Sequence, residues 1–496
     1  MPYFVRTFTK MPFMRSLLTF FVLVAGNFHA IAQPITWGTP VTVTSGSGSN
    51  LHPRIALNRA GNPYVLWGKT DSKAYVSKWT GSAFTTPVVA SGALTVFAQS
   101  WAGPAMAAFG DTVYVSMQVT PECVSTAYAY LAHSYDGGTT FSMPVRMDNI
   151  DTSTSRFATV TTTASGNPLV AFMKFNASCN DAHYAVARST DYGATFSTDV
   201  LASGAAGNVC DCCPASILSS GTNDAIMLFR NNLSNIRDMW AGISTDGGMT
   251  FPNHMAVDNT NWSISSCPAS GPDGFVIGDS IYTVFMSAGT GTTLAYLSRS
   301  SISMLSSSTS AITGTFSGLT SQNYPRITNA GKSAAAVWVQ NTSSGNSLVY
   351  SFANNISTGF SGNSTVMGAT GSGIMNGDVA LTPGAVHIVW EDDNSGKVMY
   401  VKGTYAVPTS VPELASKEPI EVYPNPATNE FSVSLTRVNG IGQCYLTDNA
   451  GRNIALTASV KNGMAVFSLK EIAKGAYYFV MSDNAGKNYY SKMIVQ

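Results

Sequence analysis

Three octets of the form Ser-x-Asp-x-Gly-x-Thr-Phe begin at Ser134, Ser189 and Ser244, 55 residues apart each time. They read Ser134-Tyr-Asp136-Gly-Gly138-Thr-Thr140-Phe141, Ser189-Thr-Asp191-Tyr-Gly193-Ala-Thr195-Phe196 and Ser244-Thr-Asp246-Gly-Gly248-Met-Thr250-Phe251. A fixed period of this size marks stacked copies of one supersecondary unit. The octet has the chemistry of a turn. Its carboxylate accepts hydrogen bonds from turn N–H groups, and its glycine relieves a strained φ. Asp136, Asp191 and Asp246 are therefore read as structural. A weaker copy, Ser77-Lys-Trp79-Thr-Gly81-Ser-Ala-Phe84, has Trp79 where the Asp belongs, and near Ser298 and Ser351 the pattern has decayed.

A second landmark opens each unit ahead of a β-rich run. It reads His52-Pro53-Arg54, Gly103-Pro104-Ala105, Arg156-Phe157-Ala158, Cys213-Pro214-Ala215, Cys267-Pro268-Ala269, Tyr324-Pro325-Arg326 and Asn376-Gly377-Asp378. The frame predicts seven units, the last stopping after its third strand near residues 398–402. The segment Ile35-Thr-Trp37-Gly-Thr-Pro40-Val41 matches Phe84-Thr-Thr-Pro-Val88 and Phe141-Ser-Met-Pro-Val145, which follow octets elsewhere. Joining the two ends in one sheet closes a ring and protects strand edges.

The octet resembles the Asp-box of sialidase-like (BNR-repeat) β-propellers. The resemblance implies an all-β, seven-bladed Asp-box β-propeller, with the box at the outer hairpin, away from the channel. Six blades is the alternative count, because sialidases have six and the fifth to seventh units are the least regular.

Lys+Arg and Asp+Glu are both 27 and only 11% of residues are charged, so no net field favours nucleic acid or acidic membranes. Arg6, Lys10 and Arg15 precede an apolar run from Leu17 to Ala25, and Ala30-Ile-Ala32 offers a small-residue cleavage site, so residues 1–32 read as a signal peptide. No later run of about 20 apolar residues suits a transmembrane segment. The seven cysteines of an exported chain read first as disulfides.

After residue 405 the composition changes. Residues 406–418 read as a linker, and 419–496 hold Val422-Tyr-Pro-Asn-Pro426, Lys474-Gly-Ala-Tyr477 and a terminal Lys492-Met-Ile-Val-Gln496. This segment resembles the C-terminal sorting domain of type IX secretion cargo. The resemblance implies a small β-sandwich, contact with the type IX secretion machinery, and a final place outside the cell or on its surface. The remaining residues, 33–405, form the propeller.

Propellers bind ligands at the channel mouth. The residues before the shared proline form one ring and those after it a second. Ligand-binding expectations fall on His52, Arg54, Arg156, Tyr324, Arg326, Asn376 and Asp378. Sialidases use a Tyr nucleophile, and guanidinium forks suit a sugar carboxylate. The resemblance therefore implies Tyr324 as nucleophile, Asp71 as acid, and Arg54 and Arg230 in the carboxylate clamp, with Arg299 or Arg326 as the third fork. The departure lies at the family's Glu, where this chain has Cys210-Asp-Cys212-Cys213; the propeller region holds only Glu122 and Glu391. A phenol without a base is a poor nucleophile.

Cys123 and Cys179 occupy matching loops of adjacent units, so a Cys123–Cys179 disulfide is the first expectation, with a second pair including Cys267. Pairing among Cys210, Cys212, Cys213 and Cys267 stays open; a thiolate metal site there is the alternative. Glu391-Asp392-Asp393 reads as a solvated acidic turn, with Ca²⁺ the weaker reading and no cofactor required. The favoured function is an exported propeller that binds glycans or surface proteins at the channel mouth. A sialidase-like exo-glycosidase is the alternative.

Overall fold

The computed structural model describes residues 35–44, 48–148, 154–204, 208–220, 223–312, 318–343, 345–360, 362–407, 417–436, 438–448, 453–470, 472–484 and 487–496. The expected signal peptide and most of the expected linker lie outside them. The chain divides into two compact units between Val407 and Pro408. Among the described residues no helix is long and apolar enough to cross a membrane.

Seven antiparallel sheets succeed one another among the described residues of the first unit. Their opening strands are Asn50–Leu57, Ala105–Phe109, Thr154–Thr162, Ser216–Ser219, Asp273–Ile277, Leu319–Ala330 and Ile374–Thr382. Each opening strand contacts that of the next sheet, and the seventh contacts the first, so the sheets form a ring. The last sheet is completed from the other end of the unit. Thr36 and Trp37 pair with Thr404 and Gly403, and Val41 and Thr42 pair with Tyr400 and Met399.

The second strands are almost wholly buried, as in Pro168–Phe175 and Ala225–Arg230, because both faces of each sheet are covered by neighbours. The core accordingly divides by interface. One apolar cluster joins Leu66 and Val76 to Val113 and Val115 between the first and second sheets. Another joins Trp67 and Val65 to Val389 and Tyr400, between the first sheet and the seventh.

The three octets adopt one geometry in the hairpins between third and fourth strands. Ser134 Oγ donates to Asp136 Oδ1 at 2.7 Å while accepting from Gly138 N at 2.9 Å, and Asp136 also accepts from Thr140 N and Oγ1 at 2.9 and 2.7 Å. Asp191 and Asp246 make the same bonds to Ser189 and Thr195 and to Ser244 and Thr250. The box glycines hold positive φ, 73° at Gly138, 92° at Gly193 and 83° at Gly248. They also lie against the preceding sheet: Gly138 faces Tyr64 and Gly193 faces Leu131 and Tyr114. The box thus fastens neighbours together. Strand direction alternates within each sheet, so the boxes lie at the end opposite the start of each opening strand.

Among its described residues the second unit contains two sheets. One includes Gly475–Ser482 and Asn488–Val495, the other Glu430–Ser434 and Met464–Ser468. Phe431 and Phe467 of one sheet meet Phe479 of the other, with ring centroids 5.0 and 5.1 Å apart.

A side chain at Gly403 overlaps Ile35 and Trp37, whereas Gly362 has open space. Gly403→Val should cost about 1–3 kcal/mol in urea unfolding, with Gly362→Ala near neutral. Hydrogen bonds from Thr195 hold Asp191 down at about 2. Asp246 also falls to about 2, its bonds from Ser244 and Thr250 outweighing desolvation. With unfolded values near about 3.9, their stabilisation is complete above about pH 4 and fades toward pH 2. The Asp191→Asn, Asp246→Asn double variant should show a weaker dependence of urea midpoint on pH across that window.

Candidate functional site

The opening strands share an irregularity. Register shifts lie between Leu51 and Arg54, Arg156 and Thr159, Asn323 and Arg326, and Ile374 and Asn376. Three non-glycine residues at these bulges have left-handed backbone, His52 at φ 57°, Phe157 at 53° and Tyr324 at 51°. Bulges re-aim side chains, and strain of this kind persists only where surrounding structure holds it. Here the bulges surround an open cavity to which every one of the seven sheets contributes lining residues or the segment entering it.

His52, Arg54, Tyr324, Arg326 and Asn376 line this cavity together, beside Trp101 and Phe157. Arg54 Nη1 donates to Asn376 Oδ1 at 3.0 Å and to the Pro53 carbonyl at 2.8 Å. Arg326 lies between two carboxylates, with Nε 3.2 Å from Asp378 Oδ1 and Nη1 3.4 Å from Asp273 Oδ1. Each carboxylate also clamps the next sheet, since Ile55 N donates to Asp378 at 3.0 Å and Ile327 N to Asp273 at 2.9 Å. Gly103 admits the His52 ring, because a Cβ there would sit 3.0 Å from it. Trp101 stands edge-on to both Phe97 and Phe157, giving the cavity one aromatic wall.

Burial, then Arg54, depresses His52 well below the usual imidazole value, so it is neutral near pH 7. Burial and Arg326 lower Arg54 to about 9, which leaves it charged. Burial works against the charge on Arg326, but Asp273 and Asp378 outweigh it and raise its pKa. Tyr324 moves the wrong way for a nucleophile, since burial and the Glu391 charge both raise it.

Several expected residues stand elsewhere. Asp71 is exposed in its loop, accepting from Tyr75 Oη at 2.8 Å and Lys73 N at 3.1 Å, and it does not line the cavity. Arg230 is fully buried and spends its guanidinium on the carbonyls of Ser270, Arg237 and Met286 at 3.1, 2.7 and 2.7 Å. Arg156 lies 3.0 Å from Glu122 and over the Phe157 ring. Arg299 is exposed, with Nε 3.4 Å from Ser280 Oγ. These residues do not assemble the carboxylate clamp.

The fifth unit requires a shift of frame. Gly271 has no room for a Cβ beside the Pro214 carbonyl, and the strand opens at Asp273. The landmark there is Gly271-Pro272-Asp273, and Cys267 and Ala269 precede the ring. Two prolines four residues apart, Pro268 and Pro272, hid this register and with it Asp273.

Glu391 is the second residue missed. It is completely buried rather than part of a solvated turn. His52 N donates to its Oε2 at 2.8 Å and Ser100 Oγ to its Oε1 at 2.5 Å, while the Ser100 carbonyl accepts from Asn376 Nδ2 at 2.7 Å. Burial raises Glu391 to about 7 against these two donors. The strand Ala385–Asp392 is buried without a break through Glu391, and the acidic Asp392 and Asp393 that follow masked this.

The cysteines pair in part as expected. Cys123 bonds Cys179, and Cys212 bonds Cys267. Cys210 and Cys213 are buried thiols.

Residues 421–496 match the family model of a secretion system C-terminal sorting domain. This tail is a sorting domain. The protein is thus an exported one, bound for secretion or the cell surface. No curated protein matches the chain in sequence. Among solved structures it is similar to a protein of unknown function from Dyadobacter fermentans, at 11% identity, TM-score 0.44, over 75% of this chain and 99% of the other. An ulvan lyase of polysaccharide lyase family PL25 is similar at 11% identity, TM-score 0.47, over 77% and 98%. A Hadza microbial sialidase is similar at 13% identity, TM-score 0.39, over 58% and 63%.

Glu391 generates a pH prediction. Its folded pKa of about 7 exceeds the unfolded value near 4.3. Native Glu391 therefore binds its proton more tightly, and stability falls as pH rises from about 4.3 to about 7. Glu391→Gln keeps the volume and should flatten the urea midpoint across that window. An unchanged slope would place the titration elsewhere.

Proposed function

We propose that the exported chain is a seven-bladed Asp-box β-propeller, residues 33–405, joined by residues 406–418 to a β-sandwich sorting domain, residues 419–496, and that it binds glycans at its channel mouth. The observation that carries this reading is the convergence of Arg54, His52, Asn376 and Tyr324 on one cavity with Trp101 and Phe157 at its wall. Sugar hydroxyls suit polar donors and acceptors held in fixed directions, and the apolar faces of pyranose rings suit aromatic walls. Arg326 is already neutralised by two carboxylates, which leaves Arg54 as the cation best placed to meet an acidic sugar.

Binding is favoured over hydrolysis by three placements. Tyr324 has its pKa raised, Asp71 is outside the cavity and Arg230 is committed to backbone carbonyls. Glu391 is the one specific observation on the other side, being a buried carboxyl behind His52 whose charge acts on Tyr324.

A glycan array probed with the full mature chain should give a defined set of saccharide ligands, and Trp101→Ala and Tyr324→Ala should each weaken binding about tenfold or more. Equal binding by both variants would remove the cavity from the reading. A fluorogenic sialoside should remain intact; turnover abolished by Tyr324→Phe would establish the glycosidase instead.

A further inference from the structure

Cys210, Cys212, Cys213 and Cys267 place four sulfurs within 4.8 Å of one another, and none of them lines the central cavity. They sit in the segments that enter the fourth and fifth sheets. Cys212 and Cys267 are bonded, Cys267 at the surface, and Cys210 and Cys213 are thiols buried beside them. Cys210 Sγ lies 2.8 Å from Cys213 Sγ and 3.6 Å from Cys212 Sγ, so it touches both its thiol neighbour and the bridge.

A neighbouring cation identifies the reactive sulfur. Arg237 Nη1 approaches Cys210 Sγ at 3.0 Å. A guanidinium only donates, so the Cys210 sulfur accepts from it, while the contact with Cys213 carries an S–H from either sulfur. A guanidinium against Cys210 favours its thiolate, which then accepts the S–H of Cys213. Consistently, the Cys213 donor leads in lowering Cys210 to about 6, whereas burial raises Cys213. The two thiols also stand in Cys-x-x-Cys spacing, which permits a bridge that adjacent cysteines resist.

We propose that this cluster is a thiol–disulfide exchange site in which Cys210 attacks the Cys212–Cys267 bridge and Cys213 completes the transfer. In the first step the Cys210 thiolate forms a bond to Cys212 Sγ, the Cys212–Cys267 bond breaks, and Cys267 leaves as a thiolate that takes a proton from water. In the second, Cys213 loses its proton and attacks Cys210 Sγ, expelling Cys212 as a thiolate that takes up that proton. One disulfide and two thiols stand on each side, so no outside oxidant is needed. Two electrons move from the buried pair to the pair that includes exposed Cys267. The substrate class is an external disulfide, which the Cys267 thiol attacks to give a mixed disulfide; Cys212 resolves it, two external thiols depart, and the Cys212–Cys267 bridge is restored.

The test is peptide mapping of the full exported chain under non-reducing conditions, after iodoacetamide and an acid quench. The wild type should yield both Cys212–Cys267 and Cys210–Cys213 bridges, with alkylated Cys267. Cys210→Ser should hold the first bridge alone and lower Cys267 alkylation at least about tenfold. Cys213→Ala should stop after the first step, giving a Cys210–Cys212 bridge and alkylated Cys267, and it reads that step even where Cys210→Ser does not fold. A wild type with Cys212–Cys267 alone and no Cys267 alkylation would overturn the proposal. So would native mass spectrometry showing a metal held by all four cysteines.

Discussion

The pairing of residues 36–42 with the strand Lys397–Thr404 is the contact on which the ring depends. Without it the seventh sheet ends in an exposed edge, and Trp37 and Ile35 leave the apolar cluster they share with Val386 and Val401. Closing a loop of this length adds only a slowly growing entropic cost, because the cost rises with the logarithm of length. The closed ring then constrains everything else. Each interface must present matching apolar faces, and the opening strands must converge on one axis.

That convergence explains why charge accumulates at the centre. Seven short strand ends cannot fill an axial space with large apolar side chains, and their first backbone groups need partners. Asp273 and Asp378 serve both needs, each accepting an N–H from the next opening strand while sharing Arg326. Removing one member would leave a buried charge unpaired, which costs more than the pair gains. Arg230 shows the contrasting solution. It is buried at a strand end, but backbone carbonyls of neighbouring segments saturate it, so it braces the fourth sheet against the fifth and offers nothing to a ligand.

Much of this was legible in the sequence because the box has little freedom. Ser, Asp, Gly and Thr each fill one role in a hydrogen-bonded turn, so spacing alone located three of the sheets, and the Pro-containing openings located His52, Arg54, Tyr324 and Arg326 at one cavity. The Cys123–Cys179 bridge was legible for the same reason, as two loops in equivalent places. What stayed hidden depends on contacts between sheets rather than within them. Asp273 was displaced by a second proline. Glu391 is buried only because the first sheet and Ser100 cover it from the far side of the ring closure. Asp71 follows a strand that does point toward the mouth, yet local bonds to Tyr75 and Lys73 hold it at the surface.

The two ends of the ring are fastened by different chemistry. Boxes lie at one end and pack glycine and carboxylate turns against the preceding sheet. The opposite end holds the cavity and the segments that enter each sheet, where no repeated turn is present among the described residues to do the same work. There disulfides join neighbours instead, Cys123 with Cys179 across the second and third sheets and Cys212 with Cys267 across the fourth and fifth. A covalent tie demands only that two sulfurs meet, whereas a box specifies five of eight successive residues. Loops at the mouth are thereby left free to vary in sequence while their positions stay fixed. A binding surface needs that combination, and it places the exchangeable sulfurs where an external molecule can reach them.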